Sequence, residues 1–439
     1  MADFIQDALE RGPEQAPQWL SPWHRQGRAS WQALSFPTRK TEQWKYTSLR
    51  ALEQGAYLGQ PQKLAAGAEE SLREKFHIAD LNGCALVFVD GQYSQTLSDS
   101  SVPDGVELVR FSQADADQIE HIKNHLGSVA KRDQHMFSAL NDTWLAEGVF
   151  LRVASNVQVE KPLHIVWLTT RQEDAFSVSQ RLLVVMETGS NATVLEHFAS
   201  DQAEQNSFTN GVTELVVQAN AQLHHYRLHL EEENALHIGG VHASLDSDAV
   251  LNSFHLALGS TLKRIDIVVN HQGEGAHCEL NGVYLPRRNQ HVDYHTCIEH
   301  AVPRCTTTES FRGIVGDTAR AVFNGRIHIH PDAQKTLAQL SNKNLLTSDK
   351  AEVDTKPELE IYADDVQCAH GATVAQLDDA AVYYLCSRGV SRSEAEVMLS
   401  FGFINELVDK LRHESISAYL RPLLARLFAR DPKLMRHIA

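Results

Sequence analysis

The sequence predicts a mainly β protein with a parallel β-helix (solenoid) core between an N-terminal and a C-terminal helical region. Three observations support this class. Apolar residues recur at helical spacing near both ends of the chain, and they alternate with polar residues throughout the middle. Within that middle part, short strand-like segments restart after a small residue at nearly constant intervals.

The N-terminal region is predicted to be mostly helical, with one short strand. Its first fifty or so residues combine tryptophans with frequent prolines, which favours short helices joined by breaks. A strand and turn are predicted at 85–91. Apolar residues at helical spacing between 119 and 129 then predict an amphipathic helix or helix pair that ends near Gly148. The first domain is therefore expected to span residues 1–147.

The middle of the chain carries an internal repeat. The second residues of seven similar segments mark it, namely Ala192, Ala221, Ala249, Ala276, His291, Ala319 and Ala333. Their separations are 29, 28, 27, 15, 28 and 14 residues, a repeat near 28 with a half-step near 14. Stacked β-coils give such a repeat, while a β-sandwich with frequent turns is the alternative. The core is predicted at residues 148–385.

Helical periodicity returns after Gly389. Ser391 and Glu394 have the spacing of a capping box. Four apolar residues follow at helical steps, namely Val397, Phe401, Ile404 and Val408. This apolar stripe is expected either to pack on a neighbouring helix or to contact a partner. The C-terminal helical domain is predicted at residues 386–439.

Composition and missing motifs exclude several classes of protein. The 439 residues include 40 Lys and Arg against 56 Asp and Glu, a formal net charge of −16, which argues against nucleic-acid binding. We expect no membrane span and no secretory signal, and we expect the six cysteines to be free thiols in the cytoplasm. The chain lacks the phosphate-binding and dinucleotide-binding glycine motifs, so any ATP hydrolysis is expected to belong to a partner.

The histidine content is high and allows two interpretations. Residues two apart in a strand share a face, so His328 and His330 could reach one metal ion. Cys297 and His295 also share a face, but they supply only half of a metal site. The alternative is that these histidines form the polar outer surface of the sheet. Many of the 23 histidines lie in the alternating segments and are expected to face solvent, among them His224, His225, His291, His295, His328 and His330.

A Cys-x-His pair near the end of the predicted solenoid has more specific chemistry. Alternation along a strand places Cys368 and His370 on one face. A thiolate and an imidazole are suited to iron or zinc, but they leave a tetrahedral site half filled. The remaining ligands would have to come from elsewhere, for example from another chain. The alternative is a buried cysteine next to a surface histidine.

The residues around this pair resemble the SufB/SufD family of the SUF iron–sulfur cluster assembly system. The resemblance lies in AEVDTKPELEIYADDVQCAHGAT at 351–373, SNKNLL at 341–346, RAVFNGRIHI at 320–329, LVFVDGQY at 86–93 and PTRKTEQWKYTSL near the N-terminus. Cys368-Ala369-His370-Gly371 is similar to the SufD branch, since the SufB branch carries an acidic His-Glu element in this segment.

The resemblance implies a right-handed parallel β-helix and a non-catalytic scaffold subunit of the cytoplasmic SufBCD complex. It implies pairing with SufB at the β-helix ends, where His370, with Cys368 beside it, would meet a transient iron–sulfur cluster or iron. It also implies two copies of the ABC-type ATPase SufC, docked on the exposed edge of the stripe from Val397 to Val408. A cysteine desulfurase system would deliver sulfur, and the chain would aid iron entry.

Some properties stay open under this resemblance. No cofactor is expected to bind tightly to the chain alone, while the assembled complex could hold a reduced flavin. A homodimer of the isolated chain is plausible, because a sheet end that accepts a homologous partner can also accept a second copy. Two rival classes remain, a β-helix polysaccharide lyase or hydrolase and a stand-alone metalloenzyme that uses the histidine-rich strands.

Overall fold

The computed structural model describes residues 3–13, 15–57, 70–99, 101–202, 204–231 and 233–428. The strands are β1 (Cys84–Val89), β2 (Gln92–Tyr93), β3 (Val106–Arg110), β4 (Val149–Val153), β5 (Leu163–Thr169), β6 (Phe176–Met186), β7 (Asn191–Ser200), β8 (Ser207–Val217), β9 (Gln222–His229), β10 (Glu233–Leu245), β11 (Val250–Leu258), β12 (Ser260–His271), β13 (His277–Leu285), β14 (His291–His300), β15 (Thr306–Val315), β16 (Arg320–Ile329), β17 (Leu337–Leu346), β18 (Glu352–Ile361) and β19 (Gln367–Gln376). The helices are α1 (Asp3–Arg11), α2 (Ser21–Ala33), α3 (Arg50–Gln54), α4 (Ala116–His125), α5 (Met136–Trp144), α6 (Asp379–Ser387), α7 (Arg392–Val408) and α8 (Glu414–Phe428).

The strands form a parallel β-solenoid with two sheets. One sheet has ten strands in the order β19-β17-β15-β13-β11-β9-β7-β5-β1-β2, and the other has nine in the order β18-β16-β14-β12-β10-β8-β6-β4-β3. Only the β1–β2 and β3–β4 pairs are antiparallel among the strand pairs of the described residues. Parallel pairing of alternate strands confirms the predicted solenoid and excludes the sandwich, in which neighbouring strands run antiparallel.

The corners of the coils explain the sequence repeat. Each coil contributes one strand to each sheet, so β13 begins at His277 and β14 at His291, which gives the half-step near 14. Before most strands of the ten-stranded sheet, a residue with positive φ turns the chain and a small buried residue follows it. These turning residues are Gly189, Asn220, Asp248, Gly275, Arg304 and Lys335, followed by Ser190, Ala221, Ala249, Ala276, Cys305 and Thr336. A small side chain lets successive corners stack closely.

The N-terminal region contributes strands as well as helices. β1 pairs in parallel with β5, and β3 pairs with β4, so the two sheets begin before the predicted boundary at 147/148. Helices α2 and α5 pack against each other. An aromatic cluster that includes Trp31 and Trp44 joins these helices to Phe208 and Leu262 on the outer face of the nine-stranded sheet.

The C-terminal helices cover the outer face of the ten-stranded sheet. The last strand ends at Gln376 and α6 begins at Asp379, so the predicted boundary at 385/386 falls inside a helix. The Ser391–Glu394 capping box at the start of α7 is confirmed. None of the helices in the described ranges combines the length and apolar character that crossing a bilayer requires.

Candidate functional site

The last coil of the solenoid leaves both sheets open at one end. In the described part of the chain, β18 pairs only with β16, and β19 pairs only with β17. Each of these edge strands therefore presents one row of backbone N–H and C=O groups without a strand partner. Such an edge is a template for pairing with another chain, because the missing hydrogen bonds can be made by an added strand.

Cys368 and His370 lie on the inward face of β19. In the register they stand opposite Ala338 and Leu340 of β17, which are 0% and 2% exposed because they face the solenoid interior. Since the described part of the chain adds no further coil after β19, Cys368 is only half-buried and His370 is exposed. The structure therefore places the two predicted site residues together on one face, at the mouth of the solenoid.

The surface around this pair is largely apolar. The inward positions of β18 lie opposite buried residues of β16, so they would form core in a longer solenoid. Ile361 of β18 and Val374 of β19 are 42% and 45% exposed. Among the inward positions at this end, Val353, Thr355 and Leu359 are half-buried, while Ile361, Ala372 and Val374 are exposed. An exposed apolar face of this kind marks a contact surface.

The chemistry at this end suits a site that another chain completes. Burial raises the pKa of the Cys368 thiol, although a backbone hydrogen bond near Ala338 works in the opposite direction. The thiol is therefore protonated near neutral pH, and it would have to lose this proton to bind a metal ion. One imidazole and one thiol are two ligands, so a complete tetrahedral iron or zinc site needs others.

The apolar stripe of α7 is mostly internal packing, one of the two roles that the sequence left open, while docking of an ATPase on its exposed edge stays a prediction. Val397, Ile404 and Val408 are buried, and Phe401 is half-buried. Ile404 and Val408 pack with α8 and with outer-face residues of the ten-stranded sheet such as Val283. These side chains therefore hold the helices on the solenoid, and a partner would have to use the opposite side of α7.

The expectation that the strand histidines face solvent is wrong for several of them. His225 is fully buried between the sheets, where its Nε2 lies 2.9 Å from Glu196 Oε1 and its Nδ1 lies 3.0 Å from Ser253 Oγ. Burial opposes ionisation of Glu196, yet Arg227 and His225 lower its pKa to about 2. The buried histidines are His164, His197, His225, His229, His237, His242, His255, His271 and His300.

The buried polar and charged side chains between the two sheets could not be predicted from the sequence. Alternation shows which residues share a face but not which face is the inner one. Along β9, for example, Leu223, His225, Arg227 and His229 all point inward, so the interior changes from apolar to charged within one strand. Only the paired charges, such as Arg227 with Glu196 at 3.0 Å, make that burial stable.

The fold defines a class, a parallel β-solenoid protein that has an open edge on both sheets at one end of its described residues. Comparison with known protein families identifies the family to which the chain belongs. Residues 168–403 match the model described as SUF system FeS cluster assembly, SufBD core domain, and residues 3–165 match the SufBD protein N-terminal region. The chain therefore belongs to the SufBD family, which acts in iron–sulfur cluster assembly.

Individual relatives agree with this assignment. The chain is 33% identical to the iron-sulfur cluster assembly protein SufD of Escherichia coli (strain K12) over 435 residues, which covers 98% of this chain and 95% of that protein. It is 29% identical over 400 residues to an iron-sulfur cluster assembly SufBD family protein of Synechocystis, with 89% and 87% covered. SufD of Bacillus subtilis (strain 168) is 28% identical over 337 residues, with 76% and 75% covered. The chain is thus a homologue of SufD.

Proposed function

We propose that this chain is a non-catalytic scaffold subunit that pairs, through the open end of its solenoid, with a related solenoid subunit of the SufB type. One observation carries the proposal. At the end of the solenoid, no other described strand covers the inward row that contains Cys368 and His370 or pairs with the outer edges of β18 and β19. A second solenoid end would cover the apolar row and supply the missing backbone hydrogen bonds.

The same contact would create a site for a nascent cluster. His370 would offer an imidazole to iron, with Cys368 two residues away on the same face, while the partner would supply the other ligands. Such a shared site can form only when both chains are present. Iron and sulfide are cargo here, and a cysteine desulfurase system would bring the sulfur to the complex.

ATP would act on this scaffold from outside. The chain has no phosphate-binding loop, so an ATPase subunit of the SufC type would dock on the exposed side of the C-terminal helices, on the face of α7 opposite Ile404 and Val408. ATP-driven movement of paired ATPase subunits would shift the two solenoids and open the shared site to iron. A switch of this kind requires two states that ATP binding stabilises differently. Reduced flavin in the complex stays a prediction.

An anaerobic affinity purification of the chain from its native cells tests the proposal, with co-purifying proteins identified by mass spectrometry. We expect a homologous β-solenoid protein and an ABC-type ATPase. Recovery of the chain alone with stoichiometric metal would contradict the scaffold role and favour a stand-alone metalloenzyme. Recovery of only a second copy of this chain would replace the mixed pair by a homodimer.

A further inference from the structure

Three metal-type side chains converge on the outer face of the nine-stranded sheet, on strands near its open edge. Glu299 lies on β14, His328 lies on the neighbouring strand β16, and His330 follows the last residue of that strand. Glu299 Oε2 is 2.6 Å from His328 Nδ1 and 2.9 Å from His330 Nε2. The register places Glu299 directly opposite His328, and the two imidazole ring centroids are 4.3 Å apart.

We propose that Glu299, His328 and His330 form a binding site for a divalent transition metal ion, Zn²⁺ or Fe²⁺. One ligand atom from each residue lies within 4.8 Å of the others, so a single ion between them can contact all three. Two imidazoles and one carboxylate are a ligand set that both ions use in proteins. The ion would replace the protons that now link the two imidazoles to the carboxylate.

The surroundings of the site favour a cation and leave it accessible. The side chains of Glu299, His328 and His330 are 22%, 18% and 42% exposed, so an ion can enter and water can complete its coordination. Arg326 lies 3.3 Å from Glu299 and 3.6 Å from Glu360. Two carboxylates against one guanidinium leave a net negative charge beside the imidazoles, which attracts a cation.

Neighbouring residues add to this arrangement. The Cys297 thiol is 3.4 Å from Glu299 Oε1, so a fourth side chain that can bind metal lies next to the three proposed ligands. Two other triplets of metal-type side chains occur in the described ranges, namely His271 with His300 and Cys305, and His229 with Glu231 and His237. All members of those triplets are buried, whereas the Glu299 triplet alone among the three is open to solvent.

This site is separate from the mouth of the solenoid. His370 faces the interior side of the ten-stranded sheet, and His328 faces outward on the nine-stranded sheet. The metal site does not rest on the proposed function, but the choice of iron over zinc as the natural ion does. Binding at Glu299 can therefore be tested without a partner, and its failure would leave the scaffold proposal untouched.

The test is an anaerobic titration of the metal-free full-length chain with Co²⁺, followed by its d–d absorption bands, and then competition by Fe²⁺ and Zn²⁺. We expect one Co²⁺ per chain with nitrogen and oxygen ligation. The double variant His328→Gln/His330→Gln should lose this binding, and Glu299→Gln should weaken it by at least about tenfold. His330→Gln, at the most exposed position, is the variant that disturbs the fold least.

Two control variants separate this site from other histidines. His77→Gln changes an exposed histidine of the N-terminal region, and His277→Gln changes a half-buried histidine on the other sheet. Both should bind Co²⁺ like the wild type. A wild-type chain that binds no Co²⁺ stoichiometrically would overturn the proposal. So would a folded His328→Gln/His330→Gln chain that binds Co²⁺ as well as the wild type, since the three residues would then form only a hydrogen-bonded network.

Discussion

His370 stands opposite Leu340 in the register between β19 and β17, yet Leu340 is buried and His370 is exposed. The two side chains point the same way, toward the axis of the solenoid. They differ because one more coil covers Leu340, while no further strand of the described residues covers His370. The end of the coil stack thus exposes a position that would be part of the core in a longer solenoid.

Replacing His370 by alanine should leave the fold intact and lower cluster assembly in cells. The side chain is exposed, so its loss removes little packing. The measurement is the activity of an iron–sulfur enzyme in cells that depend on this SUF system, with thermal denaturation of the purified variant beside it. His77→Ala changes another exposed histidine and serves as the control. Full enzyme activity with His370→Ala would remove this imidazole from cluster assembly.

Two substitutions on α7 compare the side of the helix that is packed against the solenoid with the side that faces solvent. Ile404→Ala removes a buried side chain and should cost about 2–5 kcal/mol in the free energy of unfolding. Gly402 is exposed, with open space where a Cβ would lie, so Gly402→Ala should raise helix stability by up to about 1 kcal/mol. Urea denaturation measures both changes.

Replacing Gly402 by a large, charged side chain tests whether an ATPase docks on α7. Gly402→Arg should keep the chain folded and reduce recovery of the ATPase in affinity purification, if the exposed side of α7 is the docking face. Unchanged recovery of the ATPase would place the docking face elsewhere on the C-terminal helices.

The buried charge network around Arg181 should contribute strongly to stability. Its guanidinium contacts Asp142 at 3.1 Å and Glu214 at 2.6 Å, and all three side chains are almost completely buried. Arg181→Ala leaves two buried carboxylates without this cation and should cost about 3–5 kcal/mol. The exposed Arg421–Asp409 pair is the contrast, because Arg421→Ala should cost less than about 1 kcal/mol. Similar losses in urea denaturation would contradict this account.

Because His197 is buried, we expect the free energy of unfolding of the chain to fall in acid. Burial lowers the pKa of His197 to about 4 in the folded chain, with Glu231 working against this shift, while an ordinary histidine has a pKa of 6.5. Between these two values the unfolded chain binds a proton that the folded chain does not. Stability therefore falls as the pH drops through this window, by up to about 1.4 kcal/mol per pH unit for this residue.

Urea denaturation at pH 7 and pH 5 measures this effect. The wild type should lose stability at pH 5, and His197→Gln should lose less between the two pH values, whatever its stability at pH 7. The exposed His77→Gln variant is the control and should keep the wild-type pH dependence. An equal pH dependence in His197→Gln and the wild type would show that His197 does not contribute.

The solenoid could be predicted from the sequence because its corners require small residues at fixed intervals. Ala221, Ala249 and Ala276 are fully buried at successive corners, so a small residue recurs in the sequence once per coil. The role of Ile404 could not be predicted in the same way. Helical spacing shows that a stripe is apolar, but the partner that covers it is set by the tertiary fold, which here places α7 on the ten-stranded sheet.

The site was predicted in part for a similar reason. The alternation of Cys368 and His370 placed them on one face, but the open coil end that exposes them depends on where stacking stops. The cluster of Glu299, His328 and His330 shows more clearly what the sequence alone cannot predict. His328 and His330 are two apart and could be paired from sequence, whereas Glu299 lies on β14, and only the register between β14 and β16 brings it opposite His328.

Replacing either of two alanines on β19 by aspartate tests the central claim, that the inward face at the solenoid end binds a partner. Ala372 and Ala369 are both exposed residues of one strand, but Ala372 faces the solenoid interior and Ala369 faces outward. Recovery of the homologous solenoid subunit in anaerobic affinity purification is the measurement. Ala372→Asp should abolish that recovery, because it places a charge in an apolar contact, while Ala369→Asp should preserve it. Full recovery with Ala372→Asp, or equal loss with both variants, would contradict pairing through this face.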